Sequence, residues 1–182
     1  MMSARLLEFR SVIAALPESL SFGPWRIGAT EVFYASENSY CFVNLKPVLP
    51  GHVLVAPRRL VARMVDLSDS ELSDLWATAR FASTIVSAAH PETDALTFTV
   101  QDGKSAGQTV PHVHVHVMPR SANDRFNQDR IKGNDGIYEA IDNSGMGVPD
   151  DKRIDSGSKA RTREAMSEEA MQLRSVAEKL FA

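Results

Sequence analysis

The run VPHVHVHVMPR at residues 110–120 constrains this chain more than any other stretch, because valine and histidine alternate along it. Alternation of two residue types is the period of a half-buried β-strand, whose successive side chains point to opposite faces. The run therefore predicts a strand with Val113, Val115 and Val117 turned to a core. His112, His114 and His116 then line the other face, consecutive ones about 6.5–7 Å apart along the strand. An exposed strand face needs only to be polar, which threonine or lysine would satisfy. Three identical titratable groups in one row, in a chain with only His52 and His90 besides, point to chemistry.

The rest of the chain supplies partners for that strand. EVFYAS (31–36) and SYCFVNL (39–45) are aromatic and β-branched and flank the polar pair Glu37-Asn38, the pattern of a hairpin. KPVLPG follows as a turn, and HVLVAP (52–57) restarts strand composition. The period then changes: Ser68 with Glu71 three residues on reads as a capping box, and Leu72, Leu75, Ala79, Ala82 and Val86 form an apolar stripe, predicting one long helix from Ser68 to Ala89. ALTFTVQDG (95–103) and the histidine strand are joined by the short loop KSAGQT, which suits antiparallel neighbours. The fold class expected is α+β: about five antiparallel strands, one long helix and a C-terminal helix, with an N-terminal helical extension.

Four segments are expected. Residues 1–18 place Leu6, Phe9, Ile13 and Leu16 at helical spacing before Pro17, either as a helix that packs on the domain or as a mitochondrial presequence. Residues 19–120 are expected to form the domain that carries the histidine row. Residues 121–165 are polar and glycine-rich and are expected to be mobile, with IYEAI (137–141) sticking down locally. Residues 166–182 form a helix capped by Ser167 that docks back through Ala170, Leu173, Ala177 and Leu180.

Charge and cysteine content narrow the partners. A net charge of -3 argues against a protein that holds long nucleic acids by bulk positive charge, yet it allows a local phosphate pocket. The single cysteine, Cys41, excludes an internal disulfide and any multi-cysteine zinc site, and its apolar surroundings place it in the core. No apolar stretch is long enough to span a membrane, and a cytoplasmic location is expected.

Two chemistries suit a row of imidazoles. Neutral histidines on one strand face can converge on zinc, although carboxylates that would orient the rings are not obviously placed nearby. Alternatively, an imidazole attacks phosphorus and forms a labile phosphoramidate, with flanking donors holding the nonbridging oxygens. The loop QDGKSAGQT (101–109) supports the second, since its glycines let backbone N–H groups approach an anion and Gln101 and Gln108 can bond phosphate oxygens.

HVHVHV also resembles the His-x-His-x-His signature of the histidine-triad superfamily of nucleotide hydrolases and transferases. VNLKPVLPGHVLVAP (43–57), TVQDGKSAGQTVPHVHVHVMPR (99–120) and IYEAI look like its fragile-histidine-triad branch, the dinucleoside 5',5'-polyphosphate hydrolases. The resemblance implies His114 as a nucleophile that becomes nucleotidylated, with the carbonyl of His112 accepting its Nδ1 proton. It implies His116 as a donor to phosphate oxygens and His52 as completing the cluster. Asn44 would hold the ribose hydroxyls, Gln101, Gln108 and Thr109 would lie near the polyphosphate, and Phe22, Ile27, Phe42 and Leu54 would line the adenine pocket. A homodimer is implied, with Mg²⁺ or Mn²⁺ carried by the dinucleoside polyphosphate or nucleotide substrate and no protein-built metal site.

The residues themselves allow plainer readings. Asn44 could cap the turn before Lys46-Pro47, Gln101 could end a strand, His52 could be a satisfied core histidine, and the four apolar residues could be core. Within the superfamily, His116 speaks against the transferase branches that carry Gln there. Thr109 and Pro119-Arg120 favour the polyphosphatase over the purine nucleoside phosphoramidase, although the Thr109 hydroxyl leaves that activity open. A nucleotide-binding signalling protein with slow turnover is the non-enzymatic alternative.

Overall fold

A computed structural model of the chain describes residues 11–128, 135–144 and 160–182. Five strands, β3 (Val32–Ala35), β4 (Ser39–Val43), β5 (Val53–Pro57), β6 (Ala95–Thr99) and β7 (Val115–Arg120), form one antiparallel sheet in the order β3-β4-β5-β7-β6. The α+β class and the strand count agree with the sequence pattern. A separate hairpin of β1 (Ser19–Phe22) and β2 (Trp25–Gly28) precedes the sheet and was not anticipated. Its signal was the Gly23-Pro24 pair: Gly23 turns the chain at φ +56°, a conformation that side chains with a β-carbon resist.

Register explains how the faces divide. Val43 pairs with Val53, which pairs with Val117, and Cys41, Val55 and Val115 make a second such row. These residues form the main core with the long helix α1 (Asp69–Ala89), through Leu75, Ala79, Ala82, Ile85 and Val86. Burying side chains of this size stabilises a fold by about 1.5–3 kcal/mol each. The α1 N-terminus is the capping box read from Ser68 and Glu71, with both reciprocal bonds present. Leu72 is only half-buried, and Cys41 lies in the core as expected.

The C-terminal helix extends further than Ser167 implied. It runs Arg163–Phe181, where Thr162 accepts from the Ala165 N–H and so caps the first turn. Met166, Ala170, Leu173 and Ala177 are buried beside α1, whereas Leu180 is exposed. At the other end of the chain, residues 11–14 are helical, and Ile13 and Leu16 pack on the domain; Leu6 and Phe9 lie outside the described residues.

The described parts of 121–165, where mobility is expected, include two helices, α2 (Arg125–Gln128) and α3 (Asp135–Ser144). Phe126, Ile137, Ala140 and Ile141 are buried with Val48, Leu49 and Met118 in a third cluster. The apolar positions of IYEAI thus find a floor. In the order of the chain the C-terminal helix is α4.

Candidate active site

Phe42, Leu54, His116 and Thr99 sit opposite one another across β4, β5, β7 and β6, so they share the sheet face turned away from α1 and α4. Period two extends this face to Asn44 and His52, each two residues from a member of the row. The β1–β2 hairpin covers it, with Leu20, Phe22 and Ile27 packed against Tyr40, Phe42, Leu54, Ala56 and Val110. The histidine face is therefore buried like the valine face, and the half-buried strand expected from the alternation is corrected to one buried on both sides. The strand also starts later than its pattern suggests. Pairing with β5 reaches only Val115, and the Val113 N–H turns aside to the Val61 carbonyl at 2.7 Å. His112 and His114 lie in the lead-in to β7, and His116 lies within it.

Burial decides the protonation of the cluster. His52 is pushed down to about 3 and His114 to about 4, mainly because charged imidazoles lose their hydration there; neighbouring histidines add to the effect. His116 is held well below its ordinary value and His112 is lowered, for the same first cause. All four rings are neutral at pH 7, so each has one donor and one acceptor nitrogen, and the hydrogen bonds assign them.

His112 accepts from the Gly23 N–H at 3.3 Å through Nδ1 and donates to the Pro57 carbonyl at 2.9 Å through Nε2. Both nitrogens are spent on backbone, and the side chain ties the β1–β2 turn to the end of β5. Its carbonyl accepts from His114 Nδ1 at 2.7 Å, which leaves His114 Nε2 with its lone pair. The His114 ring meets Phe22 edge-on, with centroids 5.0 Å apart.

The second pair forms a chain. His52 Nδ1 accepts from the Val48 N–H at 3.2 Å, so its proton is on Nε2, which donates to His116 Nδ1 at 2.9 Å. His116 therefore carries its proton on Nε2, a buried nitrogen without a hydrogen-bond partner among the described residues. A nucleophilic nitrogen and an unspent N–H donor thus stand on adjacent rings, His114 and His116, whose centroids are 4.8 Å apart. These commitments do not suit the zinc reading: only two ring nitrogens stay unspent, and one of them holds a proton. Among the described residues no group of three or more His, Cys, Asp or Glu side chains is placed to hold a metal ion.

Asn44 caps the turn before Lys46-Pro47 and also touches the histidine cluster. Its Oδ1 accepts from the Lys46 N–H at 3.0 Å, capping the turn, while Nδ2 donates to the acceptor nitrogen of His52, Nδ1, at 3.4 Å. Arg161, which the sequence did not single out, donates to the Asn44 carbonyl at 3.1 Å and pairs with Glu169 at 2.5 Å. Phe22, Ile27, Phe42 and Leu54 all belong to the packed cluster, and Ile27 and Phe42 also border a cavity of about 320 Å³ together with Trp25 and Arg161.

The loop residues lie apart from the histidines' hydrogen-bond network. Gln108 accepts from the Gly103 N–H at 3.0 Å and donates to the Ala62 carbonyl at 2.8 Å, bracing the loop. Gln101 donates through Nε2 to Asp142 Oδ1 on α3. Gln108 and exposed Thr109 line a cavity of about 730 Å³ with Arg63, Lys104, Pro111 and Asp142. Arg63 and Asp142 are further residues that sequence reasoning missed, since both pair with groups remote in sequence.

An antiparallel sheet of this order, with neutral histidines gathered on one face, defines a class of domain. The HIT domain family model matches residues 28–123, and the chain belongs to that family. It is similar to the bifunctional bis(5'-adenosyl)-triphosphatase/adenylylsulfatase FHIT of Arabidopsis thaliana, 44% identical over 87% of this chain and 84% of that protein. It is 53% identical to the bis(5'-adenosyl)-triphosphatase of Dictyostelium discoideum over 60% of this chain and 73% of that one. Among solved structures, the Plasmodium falciparum diadenosine triphosphate hydrolase in complex with cyclomarin A superposes with a TM-score of 0.72 and 30% identity, over 98% of this chain and 97% of that one. The first of these carries the name FHIT, in keeping with the fragile-histidine-triad branch that the motifs resemble. Among the described residues, no helix is long and apolar enough to cross a membrane.

Proposed function

We propose that this protein hydrolyses dinucleoside 5',5'-polyphosphates, taking diadenosine triphosphate to AMP and ADP through a nucleotidyl-His114 intermediate. The observation that carries the reading is the bond from His114 Nδ1 to the His112 carbonyl, which holds Nε2 unprotonated beside the His116 Nε2–H. The names of the relatives supply the substrate class.

In the first step the His114 Nε2 lone pair attacks the α-phosphorus, an N–P bond forms, and the P–O bond to the leaving nucleotide breaks. ADP is a weak base and departs without a strong acid behind it. His116 Nε2–H donates to a nonbridging oxygen as charge builds there, in a buried setting where such a bond is worth more than in water. The His112 carbonyl, still bonded to Nδ1–H, stabilises the positive ring of the phosphoramidate. Water then attacks phosphorus and gives up a proton to solvent, the N–P electron pair returns to His114 Nε2, and AMP leaves. A divalent ion travels with the substrate and neutralises its phosphates, and the unit that acts is a homodimer.

The test is chromatographic product analysis of diadenosine triphosphate with wild type and His114→Ala, each with Mg²⁺ and with chelator. AMP and ADP in equal amounts from wild type, lost by at least on the order of 10⁴-fold in His114→Ala, is the expected result. Turnover that survives in His114→Ala refutes the covalent route. Hydrolysis of an adenosine phosphoramidate in preference to the triphosphate returns the phosphoramidase reading, and tight binding without turnover returns the signalling one.

A further inference from the structure

Gln101 is half-buried at the start of the loop that borders the larger cavity, and its amide donor is taken by Asp142 of α3. Gly107 marks how tightly these two groups meet, because at its φ of +87° a β-carbon would collide with both Gln101 Nε2 and Asp142 Oδ1. The carboxylate is held there by its helix. Ile137, Ala140 and Ile141 anchor α3 on Val48, Leu49 and Met118, which leaves Asp142 at the groove. A carboxylate is the chemical mimic of a phosphate oxygen at an amide donor, and it bears the same sign of charge.

We propose that Asp142 is a built-in competitor of the polyphosphate: its carboxylate occupies the Gln101 amide until substrate phosphates displace it. The idea rests on the reading of Gln101 as a polyphosphate contact. Displacement needs only rotation of the Asp142 side chain, because the apolar anchors keep α3 docked. The fraction of molecules with Gln101 unlatched scales the apparent affinity for polyphosphate, while the chemistry at His114 is untouched once substrate is seated. Asp142 therefore acts on KM and leaves kcat alone. Lys104, in the same groove, offers the incoming phosphates a positive charge.

The experiment is a double-mutant cycle of Asp142→Ala and Gln101→Ala, read by the affinity for inorganic tripolyphosphate in calorimetry and by KM and kcat for diadenosine triphosphate. Asp142 is exposed and Gln101 only half-buried, so a thermal melt suffices to show that the variants are folded. Asp142→Ala is expected to tighten tripolyphosphate binding and lower KM roughly three- to tenfold, with kcat unchanged, and this gain is expected to vanish in the Gln101→Ala background. A gain of equal size in that background means general repulsion and overturns the proposal, as does no gain at all. Absence of tripolyphosphate binding by every variant overturns it together with the role of Gln101. A positive binding cycle without hydrolysis leaves the competitor standing and refutes the proposed activity instead.

Discussion

At the residue scale the four histidines have unequal duties despite their similar burial. His114 and His116 each keep one nitrogen unspent, His52 passes a fixed tautomer from the Val48 N–H to His116, and the His112 side chain is spent wholly on Gly23 and Pro57. His112→Ala is therefore expected to act on the fold first. It leaves a buried cavity and strips a partner from one N–H and one carbonyl, a loss of about 2–4 kcal/mol in urea unfolding. Hydrolysis by the folded fraction is expected to exceed that of His114→Ala by at least a hundredfold, on the order of what a backbone contact that survives mutation preserves. Equal inactivation of the two variants, with unchanged stability, would assign the His112 ring a chemical part. The alternating pattern marked all three histidines, but it could not separate them, because the difference lies in backbone groups 55 and 89 residues away.

At the element scale, local signals were legible where the chain meets its own neighbours in sequence. The Ser68-Glu71 capping box is complete within one turn and is legible from residue types alone. The start of α4 is not legible locally, because Thr162 and Ser167 are both competent caps and the choice falls to packing, which buries Met166 against the core. Leu173 tests how far α4 belongs to the domain. It is almost fully buried between α1 and the sheet, so Leu173→Ala is expected to cost about 2–5 kcal/mol. Denaturant unfolding measures this, and a change below about 0.5 kcal/mol would mean that the helix only rests on the surface.

At the scale of the whole molecule, burying a histidine cluster in neutral form links stability to acid. Unfolded, these side chains titrate near 6.5, while in the fold His114 holds off its proton to about 4 and His52 to about 3. Their contribution is complete above the unfolded value. As pH falls below it, the unfolded chain gains protons that the folded chain refuses, and each such histidine removes about 1.4 kcal/mol of stability per pH unit until its folded value is reached. The urea midpoint is therefore expected to be level above about pH 7 and to fall steeply towards about pH 5. A level midpoint across that range would show that the rings are charged or hydrated in the fold. What the amino-acid sequence determined by itself was whatever period, capping and turn chemistry express over a few residues: the five sheet strands, α1, the histidine row and its family resemblance. Only the tertiary structure decided that both faces of β7 are buried, that Val48 and the His112 carbonyl set which ring nitrogen is free, and that Asp142 meets Gln101. Those outcomes depend on groups brought together from distant parts of the chain, where burial and the hydrogen bonds left available, and no local preference, select the state.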